Sequence, residues 1–217
     1  MKINIKHTKL KRIILLVFLF LIYIVVSAFS YSNAVCTNIA DNVFRLHVIA
    51  NSDNEEDQNL KYIVRDEVLQ YINSLSTEAN SKDEIIDLAN KNLYTIQSLA
   101  QETIYNNGFN YNVNINIGNF AFPTKTYGDI TFPPGYYDAL RIEIGEAKGQ
   151  NWWCVMFPPL CFVDVTSGVV PDESKEIMKD NLSEEEYSII SGNSDEVQIK
   201  FKLIEVLQNL TISGIFM

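Results

Sequence analysis

Between Ile13 and Phe29 the chain is unbrokenly apolar, IILLVFLFLIYIVVSAF. After that run the pattern becomes periodic. Val43 to Ala50 alternates loosely: Phe44, Leu46 and Val48 fall on one side, and Val43, Arg45, His47 and Ile49 on the other, which predicts a β-strand. Leu60, Ile63, Val64, Val68, Leu69, Ile72 and Leu75 then recur at steps of three and four, the pattern of an amphipathic helix of roughly five turns. A second helix is expected from Lys82 to Asn107. Its apolar face comprises Ile85, Leu88, Ala89, Leu93, Ile96, Leu99, Ala100 and Ile104, and Gly108 suits its C-terminal cap.

Strict alternation returns in YNVNINIG, where Tyr111, Val113, Ile115 and Ile117 stand against asparagines. Pro123, Pro133, Pro134 and Gly135 mark a loop. ALRIEIGEAKGQNWWCVMF reads as two strands joined in hairpin fashion by GEAKG. The polar, acidic stretch beyond PPLCFVDVTSG reads as loop through Asn181, after which Ser183 and Glu186 are spaced as a capping box. Val197, Ile199, Phe201 and Leu203 alternate near the end, with LIEVLQNL as a strand end or short helix. No internal repeat is present. The sum is an α+β domain: one early strand, two long amphipathic helices and an antiparallel β group, preceded by an N-terminal signal or anchor helix.

Charge sharpens the reading of the leader. Lys2, Lys6, Lys9, Lys11 and Arg12 precede the apolar run without a single acid, as in export signals. Ser32 and Ala34 are small residues placed for a cut before Val35. The run is long for a signal peptide and short for a membrane span. Residues 1–34 are therefore read as a signal peptide or N-terminal anchor, and residues 35–217 as one exported domain. The basic head stays cytoplasmic in either case. All 27 acidic residues lie after Ala34, with only twelve of the 17 basic ones, a formal charge of −15 on the exported part. That balance excludes nucleic-acid binding and leaves membrane contact to the N-terminal segment. Solubility is its simplest role, with a basic partner surface as the functional alternative.

Candidate chemistry concentrates in two stretches. In FRLHVIANSDNEEDQ (44–58), Ser52 or Asp53 can cap the following helix, with Glu55 or Glu56 bonding back. Asp57 and Lys61 are spaced for a helical ion pair. Asp53, Glu55 and Asp57 alternate as calcium ligands do, but the central glycine and closing bidentate glutamate of a calcium loop are missing. In NWWCVMFPPLC, Trp152 and Trp153 point to opposite faces of a strand. Pro158 and Pro159 stop that strand and bend Cys161 back toward Cys154, a candidate disulfide in an oxidising compartment. Val35, directly before Cys36, argues against lipid modification there. His47 and Cys154 have the types of a general base and nucleophile, yet no catalytic signature surrounds the cysteine. His47, Cys154 and Cys161 lack a fourth zinc ligand. No metal and no cofactor are expected.

The stretches FRLHVIANSDNEEDQNLKYIVRDEV (44–68) and LRIEIGEAKGQNWWCVMFPPLCFVD (140–164) resemble the stage II sporulation protein R family, and QIKFKLIEVLQ (198–208) adds a weaker match. The resemblance implies a protein made in the forespore and exported into the space between forespore and mother-cell membranes. There it would activate a membrane-embedded aspartic peptidase that processes the sigma-E precursor. It implies a ligand, not an enzyme. Arg45, His47, Asn51, Asp53 and Trp152 are the candidate partner contacts, because caps and packing leave most of them unexplained. The alternative is an exported cysteine-dependent hydrolase using Cys154 and His47.

Overall fold

A computed structural model describes residues 4–75, 81–161, 170–192 and 201. The chain divides into two compact units, Met1–Asn38 and Ile39–Met217. The first is helical. Helix α1 (Asn4–Asp41) begins in it and contains a stretch long and apolar enough to cross a membrane. Ile13 to Val26 are exposed along it, since a helix that is apolar all round has no face on which to hide them. Such a helix suits a signal or an anchor.

The second unit is α+β. Strand β1 (Phe44–Ile49) is followed by α2 (Glu55–Leu75), α3 (Lys82–Lys91) and α4 (Leu93–Asn106). Then come β2 (Val113–Phe122), β3 (Lys125–Tyr127), β4 (Ile130–Phe132), β5 (Gly135–Ile144), β6 (Asn151–Phe157), α5 (Asp172–Asn181) and α6 (Glu184–Ile190). A four-stranded sheet has the order β2-β5-β1-β6, and β3 and β4 form a separate hairpin. One sheet face carries the main core: Phe44, Leu46, Val48, Val113, Ile115, Leu140, Ile142 and Cys154 meet Leu60, Val64, Val68, Ile96, Ala100 and Ile104 from the helices. Each such aliphatic side chain stabilises the fold by about 1.5–3 kcal/mol when fully buried.

Several elements depart from the sequence pattern. The helix expected over 82–107 is broken at Asn92, whose side-chain Nδ2 donates to Leu88 O and ends α3 before α4 starts. An asparagine side chain competes with the backbone ladder in this way. GEAKG does not close a hairpin. Strand β1 is inserted between β5 and β6, parallel to the first and antiparallel to the second. All six residues of β1 are buried, so only an interior position shelters both of its faces. The acidic stretch from Asp172 is a helix, with Asp172 and Glu173 in the first turn where the dipole favours them. Ser183 and Glu186 form their capping box. Of the closing alternation only Phe201 is described, helical and buried; the rest lies outside the described residues.

Candidate functional site

The polar corner after β1 ties the two signature stretches together. Helix α2 starts at Glu55, with Gln58 N bonded to Asn54 O (3.0 Å). Ser52 and Asp53 thus stand ahead of the cap. Ser52 Oγ instead accepts from Asn54 N (3.2 Å) and donates to Asp57 Oδ2 (2.6 Å). Asn51 Nδ2 donates to the same carboxylate oxygen (2.8 Å), while Asn51 Oδ1 accepts from Glu146 N (2.9 Å). Lys148 N and Gly149 N donate to Asn51 O and Ala50 O. The β5–β6 connection is therefore pinned onto the end of β1, which is why it crosses over instead of pairing its own strands.

Two glycines make this close approach possible. Gly145 has φ +58°, and a Cβ there would collide with the Asn51 amide. A Cβ on Gly149 would collide with the Ser52 carbonyl. Asp57 is buried. Burial raises its pKa, but hydrogen bonds from Ser52, Asn51 and Tyr111 outweigh this and hold it below the usual range. Lys61, also buried, donates to Gln58 Oε1 (2.6 Å) and Gln150 O (3.2 Å) rather than pairing with Asp57 as their spacing implied. Burial lowers its pKa, the nearby Arg65 adding to the effect.

On the sheet face away from α2–α4, Arg45 is fully buried. Its Nη2 donates to Tyr127 Oη (2.7 Å), and its guanidinium lies 4.2 Å from the Phe122 ring centre and 4.6 Å from that of Tyr137. Tyr127 and Phe132 stand within 6 Å as well. Nε and Nη1 have no hydrogen-bond acceptor among the described residues, and the rings stabilise this buried cation. Next to it His47 stacks on Trp153 (3.6 Å between centres), and its Nε2 bonds Asn151 Oδ1 (2.7 Å). Since Oδ1 only accepts, the proton sits on Nε2 and leaves Nδ1 without a partner among the described residues. Burial drives the His47 pKa down to about 4, with Arg141 and Arg45 pushing the same way and Asn151 and Glu143 opposing.

The structure thus buries Arg45 and His47, draws Asn51 into the polar clasp and leaves Asp53 exposed. Trp152 is half-buried on the helix face, edge-on to Tyr62 and 4.2 Å from the Arg65 guanidinium. Cys154 and Cys161 are paired as a disulfide with Cα atoms 5.3 Å apart. Cys154 faces the helices with Leu46, whereas His47 faces the cage. The two side chains lie on opposite faces of the sheet, and a His47–Cys154 base–nucleophile pair does not assemble. No cluster of three or more potential metal ligands occurs among the described residues. Sequence reasoning missed the cage partners Phe122, Tyr127, Phe132 and Tyr137, which lie far along the chain with no motif to mark them.

An apolar leader helix and an α+β body whose signature residues form a clasp and an aromatic cage define the class. The family described as Stage II sporulation protein R (spore_II_R) is matched over residues 40–167. "Stage II sporulation protein R" of Bacillus subtilis (strain 168) is 35% identical over 185 residues, covering 79% of this chain and 83% of that protein. The chain belongs to the stage II sporulation protein R family. No solved structure matches it.

Proposed function

We propose that this sporulation protein is a signalling ligand. Delivered across the forespore membrane by its N-terminal segment, it activates a membrane-embedded aspartic peptidase that processes the sigma-E precursor. The observation that carries the reading is the use made of the signature residues. Asn51, Asp57, Gln58, Lys61, Gly145 and Gly149 hold one another in a fixed corner, as a recognition surface needs, and His47 and Cys154 stand on opposite faces of the sheet. A ligand activates by binding the active arrangement of its receptor better than the inactive one; about 1.4 kcal/mol of preference shifts that equilibrium tenfold. Asp53 and Trp152 reach the surface and contact the receptor directly, while Arg45, His47 and Asn51 act through the shape they maintain.

The test is co-expression with the peptidase and the sigma-E precursor, reading precursor cleavage. Cleavage should require this chain and should survive Cys154→Ala/Cys161→Ala in protein that remains folded. Trp152→Ala should weaken it without unfolding the domain. Peptidase activity that is indifferent to the folded, exported chain would refute the ligand role.

A further inference from the structure

The two edges of the main sheet are treated differently. On β6, Trp153 O accepts from Tyr127 Oη (3.1 Å) and Val155 O from Leu160 N (3.0 Å), so two carbonyls of that edge strand are already taken. The β2 edge has no neighbouring strand among the described residues. Its phase is set by two contacts: Asn112 O accepts from Gly145 N on the β5 side, and Val113 turns its N–H and C=O away from β5. Odd-numbered residues of β2 therefore direct their peptide groups outward. At Val113 these groups are taken by Gln101 Oε1 and Gln97 Nε2 of α4 (3.0 and 3.3 Å). From Ile115 through Ile117 and Asn119 to Ala121, the outward peptide groups have no partner among the described residues.

Nothing in β2 discourages pairing. The strand has ten residues in continuous register with β5, with no charge, no proline and no bulge, although an exposed edge normally carries one of these. Beside it α4 forms a shallow groove of about 520 Å³ lined by Tyr94, Gln97, Ser98, Gln101, Glu102 and Tyr105. Tyr94 is 86% exposed and Tyr105 52%, on one stripe of the helix. Gln97 and Gln101 belong to both features, so groove and edge are continuous.

We propose that the outer edge of β2, together with the tyrosine groove of α4, docks an extended, basic segment of the partner chain as a fifth strand. Backbone pairing supplies the register. The exposed tyrosine faces and the Glu102 carboxylate suit a lysine or arginine side chain reaching into the groove. Charge selects this occupant over a second copy of the chain, because the exported part is formally −15 and repels its like. The inference rests on the ligand reading above and adds a second contact surface to that of Asp53 and Trp152, on the opposite edge of the sheet from β6.

The deciding experiment is hydrogen–deuterium exchange at single-residue resolution on the full chain in detergent, alone and with the purified peptidase. The amides of Ile115, Ile117, Asn119 and Ala121 should exchange fast in the free chain and slow at least tenfold in the complex. Those of Asn116 and Gly118, which point toward β5, should be protected throughout. Asn119→Pro removes an outward N–H but no ladder donor, and should weaken peptidase binding at least tenfold. Should that variant misfold, Tyr94→Ser/Tyr105→Ser tests the groove alone. Binding with protection confined to other surfaces would overturn the edge assignment and leave the ligand role standing. Absence of binding by the folded wild type would overturn both. Edge protection that grows with the concentration of the chain alone would make a second copy the occupant and overturn the basic-partner assignment.

Discussion

At the scale of single residues, the signature stretches combine legible local rules with contacts that no local rule contains. ANSDNEED reads correctly as the approach to a helix, but Ser52 and Asn51 spend their side chains on Asp57 and on the β5–β6 connection, which lies 95 residues away in the case of Glu146. Arg45 and His47 look like surface chemistry in a sequence because charged and polar residues are seldom fully buried; only the assembled cage shows otherwise. His47 has a measurable consequence. Its folded pKa of about 4 lies below the ordinary 6.5, so the fold favours the neutral ring. The resulting stability is fully present above pH 6.5 and is lost as the pH falls toward 4, by up to about 3 kcal/mol at ~1.4 kcal/mol per unit. Urea unfolding at pH 7.0, 5.5 and 4.5 should show this loss in the wild type, over and above that of His47→Phe, which cannot titrate. Equal pH slopes in the two proteins would show that His47 is not held neutral. Gly145→Ala places a Cβ into the Asn51 amide at φ +58° and should cost about 1–3 kcal/mol, read as a lower urea midpoint.

Individual elements were legible where periodicity was strong and illegible where pairing decided. Strand β1, the α2 helix and the YNVNINIG strand follow from their periods. The insertion of β1 between β5 and β6 does not, because a short glycine-bounded connection resembles a hairpin until a third strand is seen to need the space. The β3–β4 hairpin was not anticipated at all, its strands being only three residues each. Yet it covers the buried guanidinium through one hydroxyl: Tyr127 Oη accepts from Arg45 and donates to Trp153 O. Burial raises the Tyr127 pKa against the lowering effect of Arg45, so the hydroxyl stays protonated and available as that donor. Tyr127→Phe would remove the one acceptor that Arg45 has among the described residues and leave Trp153 O without its Tyr127 donor. A loss of about 2–4 kcal/mol is expected, larger than for a neutral hydrogen bond because the abandoned group is charged and buried. Exchange of the amides in 125–132 should accelerate with it. An unchanged midpoint would mean the aromatic rings alone hold the cation.

For the whole molecule, the class α+β and the apolar leader could be read from composition and period, whereas the acidity of the body had no structural explanation in the sequence. The fold supplies a partial one. Among the described residues Asp66, Asp129, Asp138, Glu143, Glu146 and Glu176 form ion pairs with Arg65, Lys175, Lys82, Arg141, Lys148 and Lys179, while Glu67, Asp87 and Asp180 sit exposed on the helices. A surplus of one sign keeps a body soluble but strains the compact state by self-repulsion. Screening relieves that strain, since the Debye length shrinks from about 30 Å at 0.01 M salt to about 3 Å at 1 M. The urea midpoint at pH 7 should therefore rise between 0.01 M and 1 M potassium chloride. Glu67→Gln/Asp87→Asn/Asp180→Asn, which removes three exposed acids and leaves every helix-capping acid in place, should be more stable at low salt and gain less from added salt. A salt response identical in wild type and variant would assign the effect to general salting-out. The acidity would then carry no stability cost, and selection for a basic partner would not be needed to explain why exposed acids such as Glu67, Asp87 and Asp180 persist on the helices.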